Sequence, residues 1–303
     1  MASPSKIVLA IGELLWDMLP EEKLLGGAPA NFCHRLRQLG VDARMVSRVG
    51  RDKLGDELVA GLLALNFDLS LVQRDHFHPT GTVDVTLSSY GDPSFVINTG
   101  VAYDYLEPTP DLRTAAACAD LICFGTLAQR SERTRKTLLE LLDGSPQALK
   151  LLDINLRKNC FTSEIIEDSL RRTDILKLNT AEVATIRDIF DITSSSHEEF
   201  ANRLIERFGI KTVLVTLGAH GVYARSSNDE SCEVPGVSVS LVDTIGSGDS
   251  FTAGFVYKLL QSAPLEECCY FGNLIGALNA TKKGGMPSIS PAEVTAFVAQ
   301  HSA

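Results

Sequence analysis

The chain has 303 residues, of which 45% are hydrophobic and 22% charged, and its formal net charge is −10. That length suits one large α/β domain or two smaller ones, with apolar residues enough for a sizeable core. The acidic balance argues against a nucleic acid or an anionic membrane as partner, since either needs a basic face, although a local anion hole can still take a nucleotide.

Short apolar runs alternate with helical patterns along the chain. Ile7–Ile11 reads as the first strand, too short to span a membrane. Glu13–Gly26 is too short for a crossover helix, and Pro29–Leu39 and Leu54–Leu65 are helices flanking a strand at Met45–Val49. Gly81–Asp104 alternates instead: Val83, Val85 and Leu87 fall on one face and Thr82, Asp84 and Thr86 on the other, the half-buried antiparallel signature. Tyr90-Gly91-Asp92-Pro93 reads as its turn and Ser94–Asn98 as the returning strand. Further strands are expected at Leu121–Phe124, Leu151–Ile154, Ile175–Leu178 and Val213–Leu217. Helices are expected at Arg133–Leu142, Glu164–Arg172, Ala181–Phe190, Glu198–Phe208, Ser250–Gln261, Leu265–Lys282 and Pro291–Gln300. The pattern predicts a doubly wound α/β fold whose mostly parallel sheet is buried on both faces. Residues 1–303 read as a single domain, with a small β lid built from about 13–26 and 81–104.

The seven cysteines are scattered, odd in number and without a Cys-x-x-Cys pair. Neither a disulfide framework nor a zinc ribbon fits them. Met1–Lys6 lacks the apolar core of a signal peptide, so the expected location is the cytoplasm.

Asp243-Thr244-Ile245-Gly246-Ser247-Gly248-Asp249-Ser250-Phe251 carries the clearest chemistry. Two glycines open the backbone just before a helix whose first N–H groups are unpaired, a ready anion site. A carboxylate beside bound phosphate is repulsive unless it has a task, and Asp249 could accept the proton of an attacking hydroxyl. A tight strand-to-helix turn with a favourable first-turn acid would show the same pattern. Upstream, Gly26-Gly27-Ala28-Pro29-Ala30-Asn31 places bare backbone and a donor–acceptor amide at a helix start, suited to sugar hydroxyls. Asn179-Thr180-Ala181-Glu182 has the spacing of a capping box. In the extended segment Asp153-Ile154-Asn155-Leu156-Arg157, the odd-numbered side chains share one side.

Gly26–Asn31 and Asp243–Phe251, in that order, resemble the two signatures of the PfkB carbohydrate kinases, which share the ribokinase-like fold. The resemblance runs from Gly12 to beyond Ser288. It implies ATP-dependent phosphorylation of a hydroxymethyl group, with Asp249 as base and Gly246, Ser247 and Gly248 as anion hole. Asn179 and Glu182 match a motif tied to phosphate and, through water, to magnesium. Asp153-x-Asn155-x-Arg157 is similar to the fructokinase and ketodeoxygluconate kinase branches, where the arginine lies near substrate and γ-phosphate. Asp17, in a Gly12-Glu13…Asp17 opening of fructokinase type, would take sugar hydroxyls, together with Gly26, Gly27, Asn31, Asn98 and Asn155. Thr216, Gly218, Gly221 and Asn273 match the nucleotide loop and its neighbouring helix. Asp243, Ile245, Gly284 and Ser288 match a monovalent-cation site, so potassium joins ATP and magnesium among the implied ligands. Fructose is the leading substrate; another ketose, a sugar acid such as 2-keto-3-deoxygluconate, or a nucleoside are the alternatives. Phe95–Asp104 holds no arginine, where fructokinases of the family carry one. Pairing through the lid would make a homodimer. Of other classes, a non-catalytic sugar or nucleotide sensor would not need Asp249, and a dehydrogenase would need an early Gly-x-Gly-x-x-Gly that is absent.

Overall fold

The structure is a computed structural model that describes residues 6–87 and 93–301. Its strands are β1 (Ile7–Ile11), β2 (Leu15–Met18), β3 (Lys23–Gly26), β4 (Asp42–Gly50), β5 (Val72–Asp75), β6 (Gly81–Leu87), β7 (Pro93–Ile97), β8 (Leu121–Phe124), β9 (Leu149–Asp153), β10 (Ile175–Asn179), β11 (Thr212–Thr216), β12 (Gly221–Ser226) and β13 (Ser231–Pro235). The helices are α1 (Ala28–Gln38), α2 (Lys53–Ala64), α3 (Pro110–Ala117), α4 (Glu132–Asp143), α5 (Ser163–Leu170), α6 (Thr180–Phe190), α7 (His197–Phe208), α8 (Ser247–Leu259), α9 (Leu265–Ala280) and α10 (Pro291–His301).

Among the described residues, nine strands form one sheet in the order β13-β12-β11-β10-β9-β8-β1-β4-β5. From β11 to β5 every pairing is parallel, and only β12 and β13 run antiparallel at one edge. Successive side chains of a strand point to opposite faces. Leu9 and Ile11 of β1 therefore enter one core with α3–α7, while Val8 and Ala10 enter the other with α1, α2, α8 and α9. Burial on both faces is why the parallel strands read as unbroken apolar runs.

Four elements escaped the sequence reading: β5, β12, β13 and α3. The edge strands are half-buried and alternate, as in Ser231-Cys232-Glu233-Val234-Pro235, so they offer no apolar run. The lid is a second sheet, ordered β3-β2-β6-β7. The β6–β7 hairpin is antiparallel as expected for 81–104, and it meets the β2–β3 hairpin through a parallel β2–β6 contact. The turn expected around Tyr90-Gly91-Asp92 lies outside the described residues. The lid packs Leu15 and Val83 against Val101, Tyr103 and Ala128, and Trp16 Nε1 donates to Leu54 O on α2 at 2.9 Å. Among the described residues no helix is long and apolar enough to cross a membrane.

Candidate active site

The carboxyl ends of β1, β8 and β9 and the start of α8 converge on one cleft, the usual ligand position in an open α/β sheet. Glu13, Gly125, Thr126, Asn155, Asp153 and Asp249 line a narrow cavity there, of about 10 Å³, room for roughly one water. The lid strands leave from the same ends.

α8 begins at Gly246, which takes a left-handed φ of 73° and caps the helix without a side-chain bond. A Cβ at Gly246 would lie 2.7 Å from Gly285 Cα, so both the turn and the close approach need glycine. No side chain caps the helix start, and the Ser247 hydroxyl in the loop is buried without a partner among the described residues. Asp249, in the first turn, is buried. Its Oδ2 accepts from Asn31 Nδ2 at 2.8 Å, across 218 positions of sequence. Asn31 was expected to meet sugar hydroxyls; its Nδ2 here holds the candidate base, and its Oδ1 is buried without a partner among the described residues. Gly285 presses on the Asn31 amide, leaving no room for a side chain.

Behind Asp249 lies a residue the sequence reading missed. Lys177, in β10, is fully buried and its Nζ donates to Asp153 Oδ1 at 2.9 Å. Asp153 Oδ2 accepts from Thr252 Oγ1 on α8 at 2.8 Å. The Lys177 ammonium also lies 3.2 Å from where a Gly248 Cβ would stand, just beneath the anion loop. Burial works against its charge, but Asp153, Glu182 and Asp249 outweigh burial and hold its pKa above the ordinary value. One signal was available: a single basic residue inside the otherwise apolar strand Ile175–Leu178.

Burial pushes the Asp249 carboxyl up to about 6, helped by the Asp153 charge and opposed by Lys177, the Asn31 hydrogen bond and Arg157. Glu13, also buried, is pushed up to about 7, and it accepts from Ala28 N at 3.2 Å. Burial raises Asp17 as well, against the opposing charge of Arg157. Arg157 itself is exposed and makes no ion pair among the described residues, yet its charge reaches Glu13, Asp17 and Asp249. It is a free cation facing three acids.

Its loop is pinned by Glu182. Asn179 Oδ1 accepts from Ala181 N at 2.9 Å and Glu182 N at 3.0 Å, and Glu182 Oε2 accepts from Asn179 N at 2.8 Å, a complete capping box. Glu182 Oε1 accepts from Leu156 N at 3.0 Å, so the same cap fixes the Asn155–Arg157 segment. Asn155 takes a left-handed φ of 42°, a strained turn held by that pin.

The other expected residues fall around this centre. Asp17 crosses from Leu24 in the lid hairpin, with Gly26 hard against its carboxylate. Gly27 leaves α1 open at a φ of 116°. Asn98 Nδ2 donates to Thr82 Oγ1 at 2.7 Å and Asp84 Oδ2 at 2.9 Å, binding β6 to the end of β7. Thr216 ends β11, and Gly218 and Gly221 shape the turn into β12. Asn273 is buried, donating Nδ2 to Val234 O and Pro235 O at 3.2 and 3.0 Å, so it fixes the end of β13. Asp243 joins two loops: Oδ1 accepts from Ile245 N at 3.0 Å and Oδ2 from Gly284 N at 2.8 Å. Ser288 is exposed. An ion pair between Lys283 and Glu22, at 2.6 Å, links this region to the lid turn.

A helix start without a side-chain cap, a buried carboxylate in its first turn and an exposed arginine whose charge reaches that carboxylate are compatible with phosphoryl transfer. The chain belongs to the pfkB family of carbohydrate kinases, whose model matches residues 21–292. Fructokinase-1 of Oryza sativa subsp. japonica is 31% identical over 331 residues, covering 100% of each chain. Two solved structures share the fold. One is a fructokinase of Xylella fastidiosa with bound ATP (TM-score 0.87, 21% identical, covering 99% of this chain and 100% of that chain). The other is a fructokinase double mutant of Vibrio cholerae O395 in a fructose-, ADP- and potassium-bound form (TM-score 0.81, 24% identical, covering 96% and 98%).

The raised carboxyl carries a sign. Asp249 can accept a proton only when ionised, so kcat/KM is expected to fall about tenfold per pH unit below about 6. Measuring the pH profile in Glu13→Gln separates the two acids: the limb stays near 6 if Asp249 sets it. A limb that disappears in that variant assigns it to Glu13.

Proposed function

We propose that this kinase transfers the γ-phosphoryl group of ATP to a primary hydroxymethyl of a small carbohydrate, with fructose the leading substrate. The observation that carries this reading is Asp249, buried and oriented by Asn31 at the mouth of the Gly246–Gly248 loop. A sugar hydroxyl in the cleft gives its proton to Asp249 as its oxygen attacks phosphorus. The backbone N–H groups of the loop stabilise the charge on the transferring group, and the exposed Arg157 supplies a positive charge. In this reading Asp17 and Asn155 take the remaining sugar hydroxyls. Thr216, Gly218 and Gly221 line the nucleotide side, where Asn273 fixes the wall.

Among the described residues no cluster of acids, histidines and cysteines forms a metal cage. That suits magnesium carried on the nucleotide phosphates with most of its water. Both Glu182 oxygens already accept backbone N–H groups, so Glu182 would reach the ion through water. When bound, the ion neutralises phosphate charge. For potassium, the Asp243 carboxylate and the Ile245 carbonyl are suitable oxygen donors, each already engaged by a single N–H donor per oxygen with a lone pair left. Such an ion would brace the loop that Asp243 joins.

ADP release over a panel of ketoses, aldoses, sugar acids and nucleosides tests the assignment. The expected result is the highest kcat/KM with fructose. A sugar acid or nucleoside preferred over every ketose overturns fructose, and binding without turnover across the panel favours a sensor. Repeating the best case in potassium, sodium and tetramethylammonium at fixed ionic strength tests the cation; equal rates in all three remove it.

A further inference from the structure

Arg35 is among the most buried large side chains in the molecule. It stands one turn beyond Asn31 on α1, on the face turned to the start of α8. Its Nη2 donates to Asn279 Oδ1 at 2.9 Å and to Pro287 O at 3.2 Å, and its Nε approaches Ser250 Oγ at 3.4 Å. Nη1 donates to Gln38 Oε1. Asn279 relays the contact: its Oδ1 also accepts from Ser250 Oγ at 3.0 Å, and its Nδ2 donates to the Ile245 carbonyl at 2.9 Å. Ile245 immediately precedes Gly246, the left-handed residue that opens the anion loop.

No carboxylate forms an ion pair with Arg35 among the described residues. Burial lowers its pKa to about 10, with only the distant Glu293 charge opposing, so it stays charged at neutral pH. A buried cation without a counter-ion is costly, and an apolar side chain would fill the same space more cheaply. What the charge gains here is its location. It lies under the positive end of α8, where a phosphate would bring negative charge, and its neutral partners leave its field unneutralised.

We propose that Arg35 is a positioning residue for phosphoryl transfer, a built-in cation that sets the anion loop through Asn279 and Ile245. α1 thereby serves both halves of the reaction: Asn31 orients the candidate base, and Arg35 the loop that meets the phosphoryl group. The loop matters most when charge builds in the transition state, so the effect falls on kcat.

The test compares Arg35→Met, Arg35→Lys and Asn279→Ala with the native enzyme, using whichever sugar the native enzyme turns over fastest, at fixed potassium. The outcome therefore does not depend on fructose being the substrate. Arg35→Met is expected to lose about 10- to 100-fold in kcat with the sugar KM within about threefold. Arg35→Lys, which keeps the charge, should recover much of the loss, and Asn279→Ala, which cuts the relay, should reproduce part of it. Melting curves show whether each variant is folded. If Arg35→Met is folded and its kcat lies within twofold of the native value, the proposal fails. It fails equally if Arg35→Lys is no better than Arg35→Met. Should Arg35→Met not fold, Asn279→Ala decides: an unchanged kcat there overturns the relay.

Discussion

Asp249→Asn is expected to lower turnover by about 10²–10⁴-fold while ATP still binds. The substitution keeps the shape of the side chain and removes the proton acceptor, so binding and fold should survive. The linkage sign makes a second, independent expectation. The folded carboxyl sits at about 6, above its ordinary value of 3.8, so ionising it costs stability as pH rises through that window, and the full cost is present above about pH 6. Asparagine escapes that cost. The variant should therefore melt no lower than the native enzyme at pH 8, and its advantage should shrink as pH falls toward 4. Near-native ADP release from Asp249→Asn with an accepted sugar would remove Asp249 as the base. A melting temperature well below native at pH 8 would contradict the burial account of its pKa.

Lys177→Met carries the second large effect, and it reaches both stability and chemistry. Lys177 and Asp153 are almost wholly buried as a pair, with side-chain exposures of 5% and 8%. Removing the ammonium leaves Asp153 buried and unpaired, which costs about 3–5 kcal/mol in comparable cases. Lys177 also lowers the pKa of Asp249, so its loss should move the acid limb of the pH profile above 6. Pairing it with Asp153→Leu should return most of the stability, because an apolar pair does not need its charges compensated. The limb should also come back to about 6 or below, because the Asp153 repulsion removed by the second change outweighs the Lys177 attraction. Denaturant unfolding and kcat/KM against pH read the two effects separately. A single variant with native stability and an unmoved limb would show that Lys177 is a bystander.

Much of the site was legible because its parts are local. Gly246–Asp249 is a turn, a helix start and an acid within four consecutive residues, and each has a physical signature on its own. Asn179 and Glu182 announce a capping box by spacing alone, and the structure contains it. The parallel strands were legible because burial on both faces leaves no polar alternation to confuse them. The antiparallel strands β12 and β13, at one end of the sheet, were missed for the opposite reason, since their buried and more exposed residues mix and the apolar run breaks.

What α1 does to α8 was not legible at all. Asn31 and Asp249 are 218 positions apart, and nothing local in the sequence says that their side chains meet. Asn98 reads as a ligand residue, while the lid engages its amide within the sheet. Glu182 carries a second hydrogen bond, to Leu156, that no spacing rule contains.

The sequence by itself determined the fold class, the kinase family and the identity of the candidate base, because periodicity, turn chemistry and short motifs act over a few residues. Only the tertiary structure decided the state of that base. The pKa of Asp249 depends on burial and on Asp153, Lys177, Asn31 and Arg157, four groups drawn from three separate segments. Charge acts through space and its cost depends on exclusion of water, and neither quantity exists until the chain has folded.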